Sequence, residues 1–179
     1  IGAFQEWDSI IGYLGIYRII MSDMIILTMC EEPIADLKKI DHLESRIKKY
    51  NPGAIVIRTI FRPKPLLSIR GKKIFLGMTA IDSIEKNIID YLETEYGCSV
   101  VKASFNLSRR VELRKDLDSS PEFDLILTEL KAAAVDVLTE YASKKKKEIV
   151  YQDNIPIITS NRADLKGELI KLIRRRKNK

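Results

Sequence analysis

Apolar residues along this 179-residue chain fall into two alternating patterns. Short continuous runs at 24–29, 54–61, 73–78, 98–103, 123–127 and 148–152 read as buried strands, because a strand covered on both faces needs no polar alternation. Between them the spacing changes to three and four: Leu37, Ile40, Leu43, Ile47 and Tyr50; Ile84, Ile88, Ile89 and Leu92; Leu130, Ala134, Val137, Leu138 and Tyr141; Leu165, Leu169, Leu172 and Ile173. That period predicts helices over 36–50 and 82–96, a helix from Glu129 onward, and a last one over 162–176. Residues 1–4 read as the end of a strand, and 10–21 as a mixed helical segment holding Gly12 and Gly15. Asn51-Pro52-Gly53 and Gly97 stop their helices. Strand alternating with helix throughout predicts an α/β fold, a mostly parallel sheet with helices on both faces. Arg62-Pro63-Lys64-Pro65 and the residues to Ser68 mark the candidate boundary, giving domains 1–65 and 66–179.

The stretch 123–136 organises the rest. Its strand gives way to helical spacing at Thr128, whose hydroxyl is placed to cap the first turn, with Glu129 and Lys131 at the junction. Ligands of open α/β sheets sit at such junctions, where free N–H groups and the helix dipole favour an anion. Asp136 and Glu140 face away from the apolar stripe, and Ala132, Ala133 and Ala134 leave room for close approach.

Other strand ends carry charge as well. Arg62 and Lys64 stand on a backbone stiffened by Pro63 and Pro65, which suits either presentation to a phosphate or an interdomain linker. Arg109, Arg110, Arg114 and Lys115, set against Glu112, Asp116 and Asp118, fit either a phosphate clamp or a short amphipathic helix laced with ion pairs. Asp153-Asn154-Ile155-Pro156 reads as a polar turn after the penultimate element.

Composition narrows the class. The chain is 45% apolar and 31% charged, and holds no run near the ~20 apolar residues of a membrane span. Cys30, Cys98 and the lone His42 have neither disulfide nor zinc spacing, which fits a reducing cytoplasm, and His42 lies off the apolar stripe of its helix. Residues 162–179 carry eight Lys and Arg against Asp164 and Glu168, and so the whole net charge of +6. No aromatic residue is interleaved there, so nucleic acid is not the expected partner. There is no GxxxxGK[ST] turn and no GxGxxG. The chain opens on Ile1 and reads as a piece of a longer protein.

Five stretches together resemble one family: Gly12-Tyr13-Leu14-Gly15-Ile16-Tyr17-Arg18, Thr28-Met29-Cys30-Glu31-Glu32-Pro33, Phe61-Arg62-Pro63-Lys64-Pro65-Leu66, 127–137 and 150–156. In order and with short gaps, over about 1–158, they look like the cyclic 2,3-diphosphoglycerate synthetases, an archaeal family. The resemblance implies the end of a P-loop-type nucleotide domain followed by a smaller Rossmann-like domain, with the P-loop itself upstream. It implies closure of 2,3-diphosphoglycerate into a ring by an intramolecular phosphoanhydride, driven by ATP with Mg2+, in a cytoplasmic homodimer. Stabilising that much negative charge is electrostatic work for cations and metal-holding carboxylates. On this reading Arg18, Lys131, Glu129 and Asp136 are the catalytic candidates, and Arg62, Lys64, Arg109 and Arg110 bind substrate phosphates. Thr28, Glu31 and Glu32 lie near the nucleotide, and Asp153 with Glu129 takes the metal. Gln152 stands where the family tends to have cysteine, which excludes a catalytic thiol there. The 179 residues alone are expected to be inactive. The alternatives are a non-enzymatic nucleotide- or nucleic-acid-binding module, and a synthetase or kinase acting on another phosphorylated small acid.

Overall fold

The computed structural model describes residues 1–80, 82–130, 134–160 and 164–177. Two compact units emerge, Ile1–Phe61 with Pro156–Lys179, and Arg62–Ile155. The first crossing between the units lies near the boundary read from the sequence, and the final segment groups with the first unit. The sequence carries no mark of that return, since the second crossing lies inside a strand.

In the first unit, α1 (Trp7–Ile11) and α2 (Gly15–Met21) precede β1 (Met24–Leu27), α3 (Leu37–Tyr50) and the start of β2 (Ile55–Pro65). β1 and β2 pair in parallel from Met24↔Ile55 to Leu27↔Arg58, and Gly2 bridges Thr28. α3 begins where Asp36 accepts the Lys39 N–H at 2.7 Å. Its period lays Ile40, Leu43 and Ile47 against Leu27 and Val56. Gly15 is required at the start of α2, because a Cβ there would lie 1.8 Å from the Ile10 carbonyl oxygen. α7 (Leu165–Lys177) belongs to this unit.

The second unit is a parallel sheet in the order β4–β3–β5–β6, formed by β3 (Lys73–Gly77), β4 (Ser99–Ser104), β5 (Leu125–Glu129) and β6 (Glu148–Ile158). Successive side chains of a strand point to opposite faces. Ile74, Leu76, Leu127 and Val150 therefore meet Ile88 and Leu92 of α4 (Glu85–Tyr96). Phe75 and Ile126 meet Leu113 and Leu117 of α5 (Arg110–Asp118) and Val137 and Leu138 of α6 (Val135–Lys145). Burial on both faces is why these strands read as unbroken apolar runs. Gly97 closes α4 at φ 63°, a left-handed position that glycine takes without strain.

Several boundaries differ from the sequence reading. β2 runs through Arg62-Pro63-Lys64-Pro65, so this segment is part of the strand, and the change of unit at 61/62 falls inside it. The Thr159 N–H donates to the Arg58 carbonyl and the Leu66 N–H to the Tyr151 carbonyl, which makes β2 and β6 antiparallel neighbours. In that register the even-numbered residues of β2 turn their backbone groups to β6. Pro63 and Pro65 lose their N–H on the other edge, where pairing with β1 stops at Arg58. β6 likewise continues through the expected turn at 153–156. After β5 the next described helix begins at Val135, not Glu129, with Ala134 at its N-cap position and no side-chain cap. Thr128 is a fully buried strand residue and caps nothing, and Leu130 is exposed rather than part of the apolar stripe.

Candidate functional site

The order β4–β3–β5–β6 makes the chain leave β3 in one direction for β4 and in the other for β5 and β6. The carboxyl ends of β3 and β5 therefore flank a topological switch point, the position where open α/β sheets bind ligands. Glu129, the last residue of β5, stands there half-buried. Its Oε2 accepts the Thr79 backbone N–H at 3.1 Å, and its Oε1 accepts Asn154 Nδ2 at 2.6 Å. One carboxylate at the end of β5 thus ties together the segment that follows β3 and the middle of β6.

The register pairs Glu129 with Gln152, so both side chains lie on the face covered by α4, and Asn154 returns to it two residues on. Gln152 is 1% exposed, and neither Nε2 nor Oε1 has a hydrogen-bond partner. On the opposite face Thr128 Oγ1 is also buried and unpartnered. Glycine at 77 leaves room there, since a Cβ would come within 3.2 Å of Leu138 Cδ1 and 3.6 Å of Thr128 Oγ1.

A second polar group closes the end of β4. Asp116 Oδ2 accepts from Ser104 Oγ at 2.6 Å and from Asn106 Nδ2 at 2.7 Å, fixing the β4–α5 connection. Between α5 and α6, Arg110 donates to both oxygens of Asp136, at 2.6 and 2.9 Å. The Arg110 hydrogen bonds hold the Asp136 carboxyl below its ordinary value. Arg114 pairs with Glu140, whose carboxyl is lowered chiefly by Lys144 one turn on. The segment is thus an amphipathic helix laced with ion pairs, the second of its two sequence readings.

The remaining sequence candidates are placed as follows. Arg62 is 7% exposed, with its guanidinium carbon 5.9 Å from the centre of the Tyr91 ring. Lys64 and Arg109 are exposed, Arg109 at the N-cap position of α5. Asp153 is exposed, and strand alternation turns it to the face opposite Glu129, so the two do not converge. Among the described residues no three His, Cys, Asp or Glu side chains gather as a metal would need. Lys131 lies outside the described residues, as do Ala132 and Ala133.

In the first unit Arg18 is exposed on α2 and borders a cleft of about 470 Å³ that Gln5, Ser9 and Ser22 also line. Thr28 is half-buried, with its backbone bonded to Ile1 and Ala3. Glu31 and the exposed Glu32 follow at the end of β1. Cys30 is buried there, and burial pushes its thiol up, the reverse of what a nucleophile needs.

Thr79, which acts through its backbone, escapes sequence reasoning, while Gln152 and Asn154 are visible in the sequence without being given a part in the site. Asn154 and Gln152 share alternate positions with Val150, and that spacing is the one signal that places them on the Glu129 face.

Comparison with known proteins returns one family in two pieces. Residues 1–60 match the model described as "Cyclic 2,3-diphosphoglycerate synthetase, P-loop domain", and residues 65–155 the one described as "Cyclic 2,3-diphosphoglycerate synthetase C-terminal domain". Relatives named cyclic 2,3-diphosphoglycerate synthetase include those of Methanothermus fervidus, 46% identical over 88% of this chain and 35% of the relative, and Methanosphaera stadtmanae, 41% identical over 97% and 38%. A third, from the bacterium Rubrobacter xylanophilus, is 40% identical over 97% and 38%, so the name is not confined to archaea. The chain spans a little over a third of the length of these relatives. Among the described residues no helix is long and apolar enough to cross a membrane.

Proposed function

The chain belongs to the cyclic 2,3-diphosphoglycerate synthetase family, and from that premise we propose that the whole protein closes 2,3-diphosphoglycerate into its cyclic phosphoanhydride at the expense of ATP. The observation that carries the reading is the C-terminal-domain match over 65–155, a span that encloses Glu129 and both strands beside it. Ring closure forces two phosphates together, so the protein's main contribution is fixed charge and position. In this role the exposed Lys64 and Arg109 meet substrate phosphates, with Arg18 on the nucleotide side and Thr28, Glu31 and Glu32 near the base or ribose. Arg62 and Arg110 keep candidate roles in phosphate binding. Arg110 and Asp136 are engaged with each other, so either acts on a ligand only by exchanging that partner. Lys131 keeps its candidate catalytic role from the sequence.

Glu129 and Asp153 face opposite sides of the sheet and so do not share one Mg2+, which in phosphoryl-transfer sites is held by one or two carboxylates together with the substrate's phosphates; no step is assigned to the metal here. The chain lacks the GxxxxGK[ST] turn that wraps nucleotide phosphates. ATP and its Mg2+ are proposed to bind mainly through parts of the whole protein that the 179 residues do not span, and these residues alone to be inactive.

Phosphorus NMR of the whole protein with 2,3-diphosphoglycerate and ATP tests this. A cyclic phosphoanhydride should form in step with ADP, and chain 1–179 alone should form none. In the whole protein, K64A and R109A should raise the KM for 2,3-diphosphoglycerate more than that for ATP. Product without ATP consumption, or product from chain 1–179 alone, overturns the reading.

A further inference from the structure

The geometry points to a hydroxyl-binding site at the β3–β5 switch point of the second unit, one that takes the vicinal diol of a ribose-bearing ligand. Two independent observations place it. The strand order puts a ligand crevice at the carboxyl ends of β3 and β5. At that edge Gln152, 1% exposed, keeps both ends of its amide unpartnered. A buried amide without partners is rare in native proteins, and each such group calls for a specific reason.

The chemistry of the ligand follows from what the neighbours offer. Gln152 has two N–H donors and an acceptor to satisfy. Its register partner Glu129 is an acceptor that has filled part of its capacity with the Thr79 N–H and Asn154 Nδ2. An anion would meet the Glu129 carboxylate and be repelled, so a phosphate of 2,3-diphosphoglycerate is excluded from this spot. A cation would suit Glu129 but leave the Gln152 N–H groups unpaired, and among the described residues no group of three carboxylate, His or Cys side chains gathers to hold one. A hydroxyl both donates and accepts. One hydroxyl can donate to Glu129, while its neighbour accepts from Gln152 Nε2 and donates to Oε1.

Access is through the clasp above. Thr79 and Asn154 are exposed, so the bonds they give Glu129 lie at the surface, with the Gln152 amide one strand position deeper. A diol enters by replacing Asn154 Nδ2 on Glu129. Arriving hydroxyls thus exchange one hydrogen bond and complete those Gln152 lacks. The inference does not rest on ring closure: its readout is binding alone, and either reading can fail without the other.

The test is an NMR titration of chain 1–179 with ribose, adenosine and 2′,3′-dideoxyadenosine. Ribose and adenosine should shift the Gln152 side-chain amide and the Thr79 backbone amide saturably, and dideoxyadenosine should bind at least about ten-fold more weakly. Q152L, similar in shape and without the amide, should weaken ribose and adenosine to the same degree and leave the Thr79 amide of the free chain unmoved. Equal binding of adenosine and its dideoxy analogue, or no shift at Gln152 with any of the three, overturns the proposal, the latter leaving ordered water as the amide's partner.

Discussion

Replacing Thr128 by valine separates the two readings of this residue by the sign of the effect. A threonine that caps a helix loses a hydrogen bond on substitution, which costs about 0.5–2 kcal/mol. In the structure Thr128 is 0% exposed within β5, and its hydroxyl has no partner. A buried, unpaired polar group costs roughly 1–3 kcal/mol of desolvation. Valine keeps the branched shape and puts a methyl group where the hydroxyl lies, close to the Cβ position of Gly77, which Leu138 and Leu107 of the same apolar core also approach. Part of the gain is lost because a methyl group is larger than a hydroxyl in a tight space. The expected net is a stabilisation of about 1 kcal/mol, or roughly 2–4 °C in Tm for a chain of this size. Amide exchange of β3 and β5 reads the second unit alone and should slow in T128V, with melting by circular dichroism as the companion measurement. A Tm lowered by several degrees, with faster exchange in β5, would refute the buried-strand account.

Three further outcomes follow from separate parts of the chain. G15A should destabilise the first unit by at least about 2 kcal/mol, because the new Cβ would lie 1.8 Å from the Ile10 carbonyl oxygen and the α1–α2 backbone must move; fluorescence of Trp7, the only tryptophan, reports it. Burial, then the hydrogen bond with Tyr91, pushes the Tyr96 phenol up to about 12. The unfolded phenol ionises near 10, so the stability it contributes is complete below that pH and is lost as pH rises toward 12; Y96F should remove that part of the alkaline fall in Tm. The lowered Asp136 carboxyl works with the opposite sign, its contribution being present above the ordinary carboxyl pKa and lost as pH falls through the depressed one. In R110Q a carboxyl-carbon NMR titration should find Asp136 ionising at higher pH, with little change in Tm because the pair is exposed.

The strands and most helices were legible because burial on both faces writes itself as unbroken apolar runs, and α4 and α3 as three-and-four spacing. What failed was the junction after β5. A threonine followed by alanines and a helical stripe satisfies every local rule for a capped helix, whereas Thr128 is buried in a strand beside its register partner Gly77 of β3, which no local rule sees. The prolines misled in a related way. Pro63 and Pro65 signal a break unless the unpaired edge of β2 is known, and that edge depends on where β1 stops. At the switch point Glu129 was visible as a charged strand end, but its partners come from positions 50 and 25 residues away. The mutual engagement of Arg110 and Asp136 was equally hidden, since both look like free charges in a one-dimensional reading.

The antiparallel register of β2 with β6 has a consequence for the history of the chain. It sets Arg62, where the second unit begins, opposite Ile155, where it ends. A module whose entry and exit are neighbours can be received by a host at a single point, with no need to separate the host's own ends. Residues 62–155 have the anatomy of such an insert, and 156–179 are the host resuming its own thread. A circular permutant opened at an exposed loop within 62–155 would keep both crossing strands, whereas one opened at residue 62 would sever one of the two.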